Sequence, residues 1–321
     1  MTNTKIPTFD ELKKRDGPPL NAWGIWGEDN QLGQINHLTP EAVKRGRDAI
    51  KHGKAVNLNL NMTEWQSINP MRDGLSRKIN NKKFANDDIV SFNTQFATQW
   101  DGFRHFPYQN YPEKGQYTFY GGMTGDEAAD INNPRYGVQN YCTHPITGRG
   151  VLLDVVKYRK DNGLPELSLF DTSTPVGLDE LKAIAKAQGV EFNSGDILIV
   201  RLGFPEKILA MSDEEREGLK SNKNGWCGID ATEDMIRWHW ENEFSAVVTD
   251  GYAYEAYPSK YPLIAHEVFL GGWGLPIGEL FDLRQLSKEC AEKKQYDFFF
   301  ASMPLNIDGG IASPPNAQAV L

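Results

Sequence analysis

The stretch that decides the fold and places the candidate site is SFNTQFATQWDGFRH, from Ser91 to His105. Within it, apolar or β-branched residues alternate with polar ones as far as Asp101, and this period of two predicts a β-strand with one face on the core. The other face carries Gln95, Gln99 and Asp101, and His105 follows. Amides, a carboxylate and an imidazole in this order can build a binding or catalytic site. The same pattern is also typical of a solvated strand face.

Apolar runs elsewhere predict buried strands at 150–156, 197–202, 246–249 and 298–301. Helical spacing predicts helices between these strands, including one that begins at Leu178 and stops at Gly189, and one that Ser212 and Glu215 open as a capping box. Further helices are predicted over 231–243 and 283–294. Because strands and helices mix without a linker or a repeat, we expect an α/β or α+β class and one domain over residues 1–321. The first hundred residues and 107–140 are predicted to form long ordered loops.

Composition and charge exclude several classes of function. A net charge of −9 and the lack of a basic run argue against nucleic acid or an anionic membrane as partner. The three cysteines form no CxxC pair and no disulfide framework, which favours a reducing compartment. The amino terminus lacks the apolar core of a signal peptide, and no apolar run approaches the roughly 18 residues of a membrane span. We therefore predict a cytoplasmic protein with a small-molecule partner.

The second informative region is YPLIAHEVFLGGWGLPIGELFDLRQLS, from Tyr261 to Ser287. Residues 263–270 have helical character, Gly271-Gly272 is expected to end that helix, and Glu279 follows a short apolar element. His266 and Glu279 are the ligand-type residues that could join Asp101 and His105 in one site. The start of a zinc-protease HExxH motif at His266 fails because position 270 is leucine. Taken alone, His266 is more typical of a core histidine with satisfied hydrogen bonds than of a ligand.

Other known chemistries find no support in the sequence. It contains no GxSxG nucleophile elbow, no Walker A loop and no GxGxxG that opens a helix after a strand. None of the three cysteines stands in a motif that marks a nucleophile. Asp250 follows an apolar run and is predicted to form a turn, although it could also lie at the edge of a site.

Several strings together resemble one known family. They are WGEDNQLGQINHLTPE (Trp26 to Glu41), GVLLDVV, GDILIVRLGF, AHEVFLGGWGLPIGELFDL and, most specifically, FATQWDGFRHF. In this order and spacing the chain resembles the cyclase family, the group that includes bacterial kynurenine formamidases and isatin hydrolase. The resemblance implies a single α/β domain with a swivelling β/β/α architecture. It also implies homo-oligomers and metal-dependent hydrolysis of small cyclic or aryl amides.

The resemblance also implies roles for single residues. The family motif HxGTHxDxPxH provides two histidines and an aspartate as metal ligands and a last histidine as acid/base. Here Asp101 and His105 match that aspartate and last histidine, whereas Gln95 and Gln99 stand where the two ligand histidines belong. The second ligand region matches at His266 and Glu279. The implied metal ligands are therefore Asp101, Gln95, Gln99, His266 and Glu279, and the implied catalytic residues are His105 and Asp101.

Replacing imidazole by amide changes the expected metal, because amide oxygen is a hard and weak donor. A divalent cation such as Mn, Mg or Ca is therefore favoured over Zn. We predict a hydrolase-like, arylformamidase-like enzyme, with Trp26 and Tyr120 among the residues that bind substrate. The alternatives are a metal-free lyase, dehydratase or cyclase that uses His105 and Asp101, and a non-catalytic small-molecule-binding protein. Eight tryptophans and long aromatic loops favour a homo-oligomer, a dimer or a tetramer.

Overall fold

The computed structural model describes residues 5–321, and within that range eleven strands form two sheets. Their bounds are β1 Ala55–Asn57, β2 Ser76–Asn81, β3 Asn86–Ser91, β4 Gln99–Asp101, β5 Ile146–Asp154, β6 Ile197–Arg201, β7 Ala246–Thr249, β8 Ile277–Glu279, β9 Asp297–Ser302, β10 Ala312–Ser313 and β11 Gln318–Val320. β2 and β3 pair as a separate hairpin, and the other nine form one sheet in the order β1-β11-β9-β5-β6-β7-β8-β4-β10. β5 to β8 run parallel to one another, and the remaining pairs are antiparallel.

Helices cover this sheet on both faces. They are α1 Phe9–Leu12, α2 Pro40–Asp48, α3 Gly125–Ala129, α4 Asn140–Thr143, α5 Val155–Asp161, α6 Leu178–Gln188, α7 Phe204–Ala210, α8 Asp213–Leu219, α9 Glu233–Glu241 and α10 Arg284–Lys293. Short 3₁₀ turns at Gly33–His37 and Tyr120–Gly122 and a π-helical segment at Glu267–Trp273 complete the elements. The α/β class is confirmed. None of the described helices has the length and apolar character that a membrane crossing requires.

The central strand β6 shows why both faces are covered. Leu198 and Val200 belong to one buried cluster, with α6, α7 and α9, while Ile197 and Ile199 belong to a second cluster that includes residues of α10. Side chains alternate between the faces of a strand, so a strand that is apolar at every position needs a core on each side. The continuous apolar runs of the sequence thus correspond to doubly buried strands.

Most predicted elements are confirmed with small shifts at their ends. β7 occupies the predicted residues 246–249, and α6 stops at Gly189, which takes the left-handed conformation at φ 66°. Ser212 and Glu215 form the predicted capping box. The predicted strand over 150–156 instead ends at Asp154, because the Asp154 side chain accepts the Lys157 N–H and caps α5. The single domain over residues 1–321 stays a prediction, and its first four residues lie outside the described part.

One continuous strand up to Asp101 was expected, and this prediction is wrong. β3 ends at Ser91, β4 begins at Gln99, and residues 92–98 between them form turns. Asn93 is the physical reason, because its side chain accepts the Gln95 N–H at 2.9 Å and its carbonyl accepts the N–H three residues on, which folds the backbone back. The sequence alternation in this segment therefore reports which side chains are buried and not a strand conformation.

The helix that was expected to end at Gly271-Gly272 instead continues through both glycines. It passes into the π-helical segment and ends at Gly274, whose φ is 63°. Tyr108 packs against the two glycines, and a Cβ at Gly272 would lie 2.4 Å from the Tyr108 hydroxyl oxygen. The glycines are thus needed for close packing against Tyr108 rather than for helix termination.

Candidate metal and acid/base site

The pairing of β4 with β8 brings three polar side chains to one face of the sheet. Gln99 lies directly opposite Glu279 in the antiparallel register, and Asp101 is two residues further along β4. Residues opposite each other in an antiparallel pair, and residues two apart on a strand, share a face. All three are at most 3% exposed, so the sheet holds two carboxylates and an amide away from bulk water.

The opposite face of β4 anchors this arrangement in the core. Trp100 is fully buried, packs edge-on against Phe281 and Phe300 at centroid distances of 5.5 and 6.3 Å, and donates from Nε1 to Ser302 Oγ at 2.8 Å. A large buried side chain whose polar atom is hydrogen-bonded fixes how a strand of three residues is rotated about its own axis. Trp100 therefore sets the direction in which Gln99 and Asp101 point.

His266 enters the same site from the helical turn that precedes the π-helical segment. The fully buried Glu255 carboxylate accepts from the His266 backbone N–H at 3.0 Å and lies 2.7 Å from Nδ1 of the ring. With Nδ1 held in this way, Nε2 faces Glu279 Oε1 at 3.3 Å and Asp101 Oδ2 at 3.9 Å. Glu255 thus fixes both the position and the orientation of the imidazole.

Asp101, His266 and Glu279 form a cluster in which one ligand atom of each residue lies within 4.8 Å of the other two. Asp101 Oδ2 is buried and has no hydrogen-bond partner. An unpartnered buried carboxylate oxygen is costly, and a cation beside it removes that cost. Two carboxylate oxygens and one imidazole nitrogen whose ring is held by Glu255 fit a divalent cation, and the cluster could hold one.

Charges in the cluster shift the pKa values of its members in a consistent direction. Burial disfavours the imidazolium, but the carboxylates of Glu255 and Glu279 outweigh it and raise the pKa of His266 well above its usual value. Burial and the nearby Asp101 carboxylate raise the pKa of Glu279. A proton on His266 thus offsets part of the negative charge of this site, and a metal ion would take the place of that proton.

His105 lies on the open side of Asp101. Its Nε2 is 3.9 Å from Asp101 Oδ2, and its ring centroid is 6.4 Å from that of His266. Burial lowers the pKa of His105, against a smaller raising effect of Asp101, so the ring is neutral at neutral pH. A neutral imidazole beside an unpartnered carboxylate oxygen can accept a proton and return it.

The two glutamines turn their amide nitrogens toward the carboxylates. Gln95 Nε2 donates to Asp101 Oδ1 at 2.5 Å, and Gln99 Nε2 donates to Glu279 Oε2 at 2.9 Å. Toward the cluster they are thus hydrogen-bond donors, and metal ligation through Oε1 requires the opposite orientation of the amides. Of the predicted ligands, the structure brings Asp101, His266 and Glu279 together with ligand atoms facing one another, and it places Gln95 and Gln99 behind the two carboxylates.

The two aromatic residues predicted to bind substrate have their ring neighbours elsewhere. Trp26 packs edge-on against His37 at 5.8 Å. Tyr120 packs against Phe103 and Tyr136 at 5.0 and 4.9 Å, and it is only 3% exposed. Phe106, which was not predicted, packs edge-on against His266 at 5.4 Å and is the aromatic ring next to the cluster.

Sequence reasoning also missed Glu255 and Arg72. Arg72 Nη1 donates to the Gln95 carbonyl at 2.9 Å and lies 3.5 Å from Gln99 Oε1, so it contacts both glutamine positions. Glu255 lies in the segment TDGYAYEA (249–256), where an acidic residue in an aromatic run was the available signal. Arg72 stands in a loop without any periodic pattern, and no sequence signal points to it.

Asp250 does not act as a simple turn residue. Its buried carboxylate accepts the backbone N–H groups of Leu202 and Gly203 at 2.5 and 2.9 Å and so joins the ends of β6 and β7. Burial raises the pKa of Asp250 to about 7. It supports the loop after β6 and does not belong to the cluster.

Comparison with known proteins identifies the fold and the family. No curated protein matches the sequence. A solved structure described as a novel cyclase shares 27% identity, with a TM-score of 0.81 over 94% of this chain and 97% of its own. Isatin hydrolase A from Labrenzia aggregata, bound to benzyl benzoate, shares 14% identity, with a TM-score of 0.58 over 85% of this chain and 94% of its own. Isatin hydrolase A from Ralstonia solanacearum shares 15%, with a TM-score of 0.56 over 88% and 98%.

The similarity to the isatin hydrolases is similarity of fold. Family membership rests on the sequence itself, because the family model described as Putative cyclase matches residues 30–256, more than half of the chain. That match includes Gln95, Gln99, Asp101, His105 and Glu255, and it ends before His266 and Glu279. The chain therefore belongs to the cyclase family.

Proposed function

We propose that this protein is a hydrolase of small cyclic or aryl amides, in which a bound divalent cation would activate water and His105 is the general acid/base. One observation carries the proposal. Asp101 Oδ2, buried and without a hydrogen-bond partner, lies 3.9 Å from both His105 Nε2 and His266 Nε2. The potential ligand atom His266 Nε2 and the proton-accepting His105 Nε2 thus lie around the same carboxylate oxygen. The amide class of substrate is inferred from the isatin hydrolases that share the fold, since isatin is a cyclic aryl amide.

Asp101, His266 and Glu279 would hold the cation, and when bound it would lower the pKa of a water molecule and polarise the substrate carbonyl. The choice of Mn, Mg or Ca over Zn follows from the two carboxylates in a set with a single nitrogen. The other residues of the site act on this set. Glu255 keeps His266 Nε2 facing the carboxylates, and Gln95 and Gln99 hold each carboxylate by its second oxygen.

His105 moves the proton in this proposal. Because its pKa is lowered by burial, the ring is neutral and accepts the proton that leaves the attacking water. The same Nε2 then donates that proton to the amide nitrogen as the carbon–nitrogen bond breaks, so one proton is taken up and one is released in each turnover. Phe106, next to His266, provides an apolar surface for an aryl ring.

A metal-free lyase, dehydratase or cyclase is the second candidate, and the orientation of the glutamines favours it. Their amide nitrogens already satisfy one oxygen of Asp101 and one of Glu279, and the raised pKa of His266 favours an imidazolium that offsets part of the negative charge without an ion. In that case His105 and Asp101 perform proton transfer on a substrate with no water consumed. The two candidates differ in whether activity needs a metal.

The test combines metal analysis with a matched pair of variants. Protein is purified, treated with a chelator, reloaded with Mn²⁺ and assayed against isatin and formanilide. We expect chelation to abolish hydrolysis and Mn²⁺ to restore it. His105→Gln should lower kcat by about 100-fold or more with metal content unchanged. The exposed His52 supplies the control, and His52→Gln should retain full activity.

Two results would contradict the proposal. Activity that survives chelation with no residual metal favours the metal-free candidate. A metal-loaded protein that hydrolyses neither amide, or a His105→Gln variant that is as active as His52→Gln, removes hydrolysis by His105 as the function.

We also propose that the protein is a homo-oligomer, a dimer or a tetramer. The β2–β3 hairpin carries apolar side chains that the single chain leaves exposed, with Phe84 90% and Ile79 61% exposed. Exposed apolar side chains concentrated on one hairpin are typical of a surface covered by another subunit. A monomeric mass by light scattering at micromolar concentration would contradict this proposal.

A further inference from the structure

The structure contains a cavity of about 560 Å³ outside the cluster of Asp101, His266 and Glu279. Its wall comes mainly from the loop that precedes the β2–β3 hairpin. The lining includes Met62, Trp65, Asn69, Arg72, Arg77 and Lys220. The size is ordinary for a small-molecule site.

Arg72 connects this cavity to the candidate site. It lines the cavity, and its Nη1 contacts the Gln95 carbonyl and Gln99 Oε1. The other end of the Gln99 amide donates to Glu279. The amide group of Gln99 therefore lies between the guanidinium and the Glu279 carboxylate.

Arg72 also differs from the other cations of the wall in its partners. Arg77 pairs with Asp88 at 2.9 Å, and Lys220 pairs with Glu217 at 2.7 Å. Within residues 5–321, no carboxylate lies within ion-pair distance of Arg72. Its two contacts use Nη1 alone, which leaves Nε and Nη2 for a ligand. A guanidinium binds carboxylate with paired N–H donors, so an anion is the ligand that this arrangement fits.

We propose that Arg72 binds a carboxylate of the substrate and that the enzyme selects anionic aryl amides, in which the carboxylate lies next to the amide to be cleaved. This proposal rests on the proposed amide hydrolysis for its choice of substrate. Arg72 then acts as a specificity-determining residue. It places the amide carbonyl over Asp101, His266 and Glu279 by holding the neighbouring carboxylate at the mouth of the cavity.

The test uses two substrates that differ only in the carboxylate, 2-formamidobenzoate and formanilide. We expect kcat/KM to favour the carboxylated substrate by about tenfold or more, since charge-assisted paired hydrogen bonds are worth this much. Arg72→Gln should remove the preference, chiefly through KM. Arg72→Lys should keep a part of it, because the charge remains and the paired donors do not. Arg77→Gln removes a charge from the same wall, but that charge is already paired with Asp88, so the preference should stay within about twofold of the parent.

A binding measurement separates failure of this proposal from failure of the proposed function. Calorimetry with benzoate and its neutral counterpart benzamide needs no turnover. We expect the parent to bind benzoate about tenfold more tightly than benzamide, and Arg72→Gln to lose that difference. If no amide is hydrolysed but this result is obtained, the carboxylate site stands and amide hydrolysis does not.

The proposal is overturned if Arg72→Gln keeps the benzoate preference of the parent, or if the parent shows no such preference. Arg72 also supports the 92–98 turn through the Gln95 carbonyl, so thermal melting is compared for each variant. If Arg72→Gln does not fold, Arg72→Lys decides the question. A benzoate affinity equal to that of the parent in Arg72→Lys excludes paired recognition.

Discussion

The two sides of the candidate site treat their polar atoms in opposite ways. On the β8 side, His266 Nε2 and Glu279 Oε1 face a shared centre, and Glu255 holds the imidazole from behind. On the β4 side, Gln95 and Gln99 direct amide nitrogens at carboxylates, and Arg72 occupies the outer face of Gln99. The β8 side thus presents two potential metal-ligand atoms. On the β4 side, the two glutamines instead donate hydrogen bonds to the carboxylates, and the Arg72 guanidinium lies behind Gln99.

This difference bears on the prediction that glutamines stand where two ligand histidines belong. Imidazole would present lone pairs to an ion, whereas each amide here donates a proton to an anion. On the β4 side, the Arg72 guanidinium stands near the two glutamines. If the comparison is correct, variants at His266 change metal binding strongly, and variants at Gln95 and Gln99 change it little unless they restore imidazole.

The largest effect is expected from His266→Ala, which removes the single nitrogen ligand of the cluster. Affinity for Mn²⁺ should fall by more than about 100-fold, beyond the range typical of a lost outer-shell partner. Titration of the free Mn²⁺ signal by electron paramagnetic resonance measures this, with His52→Ala as the control at an exposed histidine. An affinity within about threefold of the parent would mean that the cluster does not bind the ion.

A smaller effect is expected from Glu255→Gln, because the carboxylate orients the ligand and does not contact the ion. Loss of this kind of partner typically lowers metal affinity by about 10- to 100-fold. Glu267→Gln is the matched control, since Glu267 is also a buried glutamate and instead accepts the Gln109 N–H at 2.8 Å. Equal Mn²⁺ affinities for the two variants would refute the orienting role of Glu255.

Restoring imidazole on the β4 side tests the comparison from the other direction. Gln95→His combined with Gln99→His should raise affinity for Zn²⁺ by about tenfold, because imidazole suits zinc better than amide oxygen does. The parent and the Gln99→His single variant provide the reference values in the same competition assay with a chromogenic chelator. If the double variant binds zinc no better than the parent, these two positions cannot supply metal ligands and the matching of the motif is wrong.

The sequence predicted the sheet better than the site. Strands such as β6 and β7 are apolar at every position, and that pattern arises directly from burial on both faces. The order of the quoted strings predicted that Asp101 and His266 would meet, and the structure places Asp101 Oδ2 and His266 Nε2 3.9 Å apart. The direction of an amide group, by contrast, depends on hydrogen bonds across 180 positions of sequence, from Gln99 to Glu279, which no local pattern encodes.

Two misses have the same physical origin. The segment 92–98 alternates as a strand does, but the Asn93 side chain accepts a backbone N–H group, and this hydrogen bond favours a turn over a strand. The glycine pair 271–272 resembles a helix stop, but it serves the close approach of Tyr108 from a distant part of the chain. In both cases a tertiary or side-chain contact overrides the local preference, so the structure was needed to see it.

The smallest effect concerns a second buried histidine, His239, which sharpens the comparison because its neighbours are neutral. Its Nδ1 lies 2.7 Å from the Met235 carbonyl and its Nε2 lies 2.9 Å from the Tyr254 hydroxyl. Burial lowers the pKa of His239 to about 4, whereas the carboxylates raise that of His266.

The pKa of His239 in the folded protein lies below the usual 6.5, so the unfolded chain binds a proton first as pH falls. Stability from this residue is thus complete above pH 6.5 and is lost as pH falls toward 4. At about pH 5.5 the loss should be about 1.4 kcal/mol, one pKa unit. Denaturant unfolding gives the free energy of unfolding at about pH 7.5 and at about pH 5.5. The difference between these two free energies should be smaller by this amount in His239→Gln and unchanged in His52→Gln. An undiminished pH dependence in His239→Gln would contradict the lowered pKa of His239 and the contrast with His266.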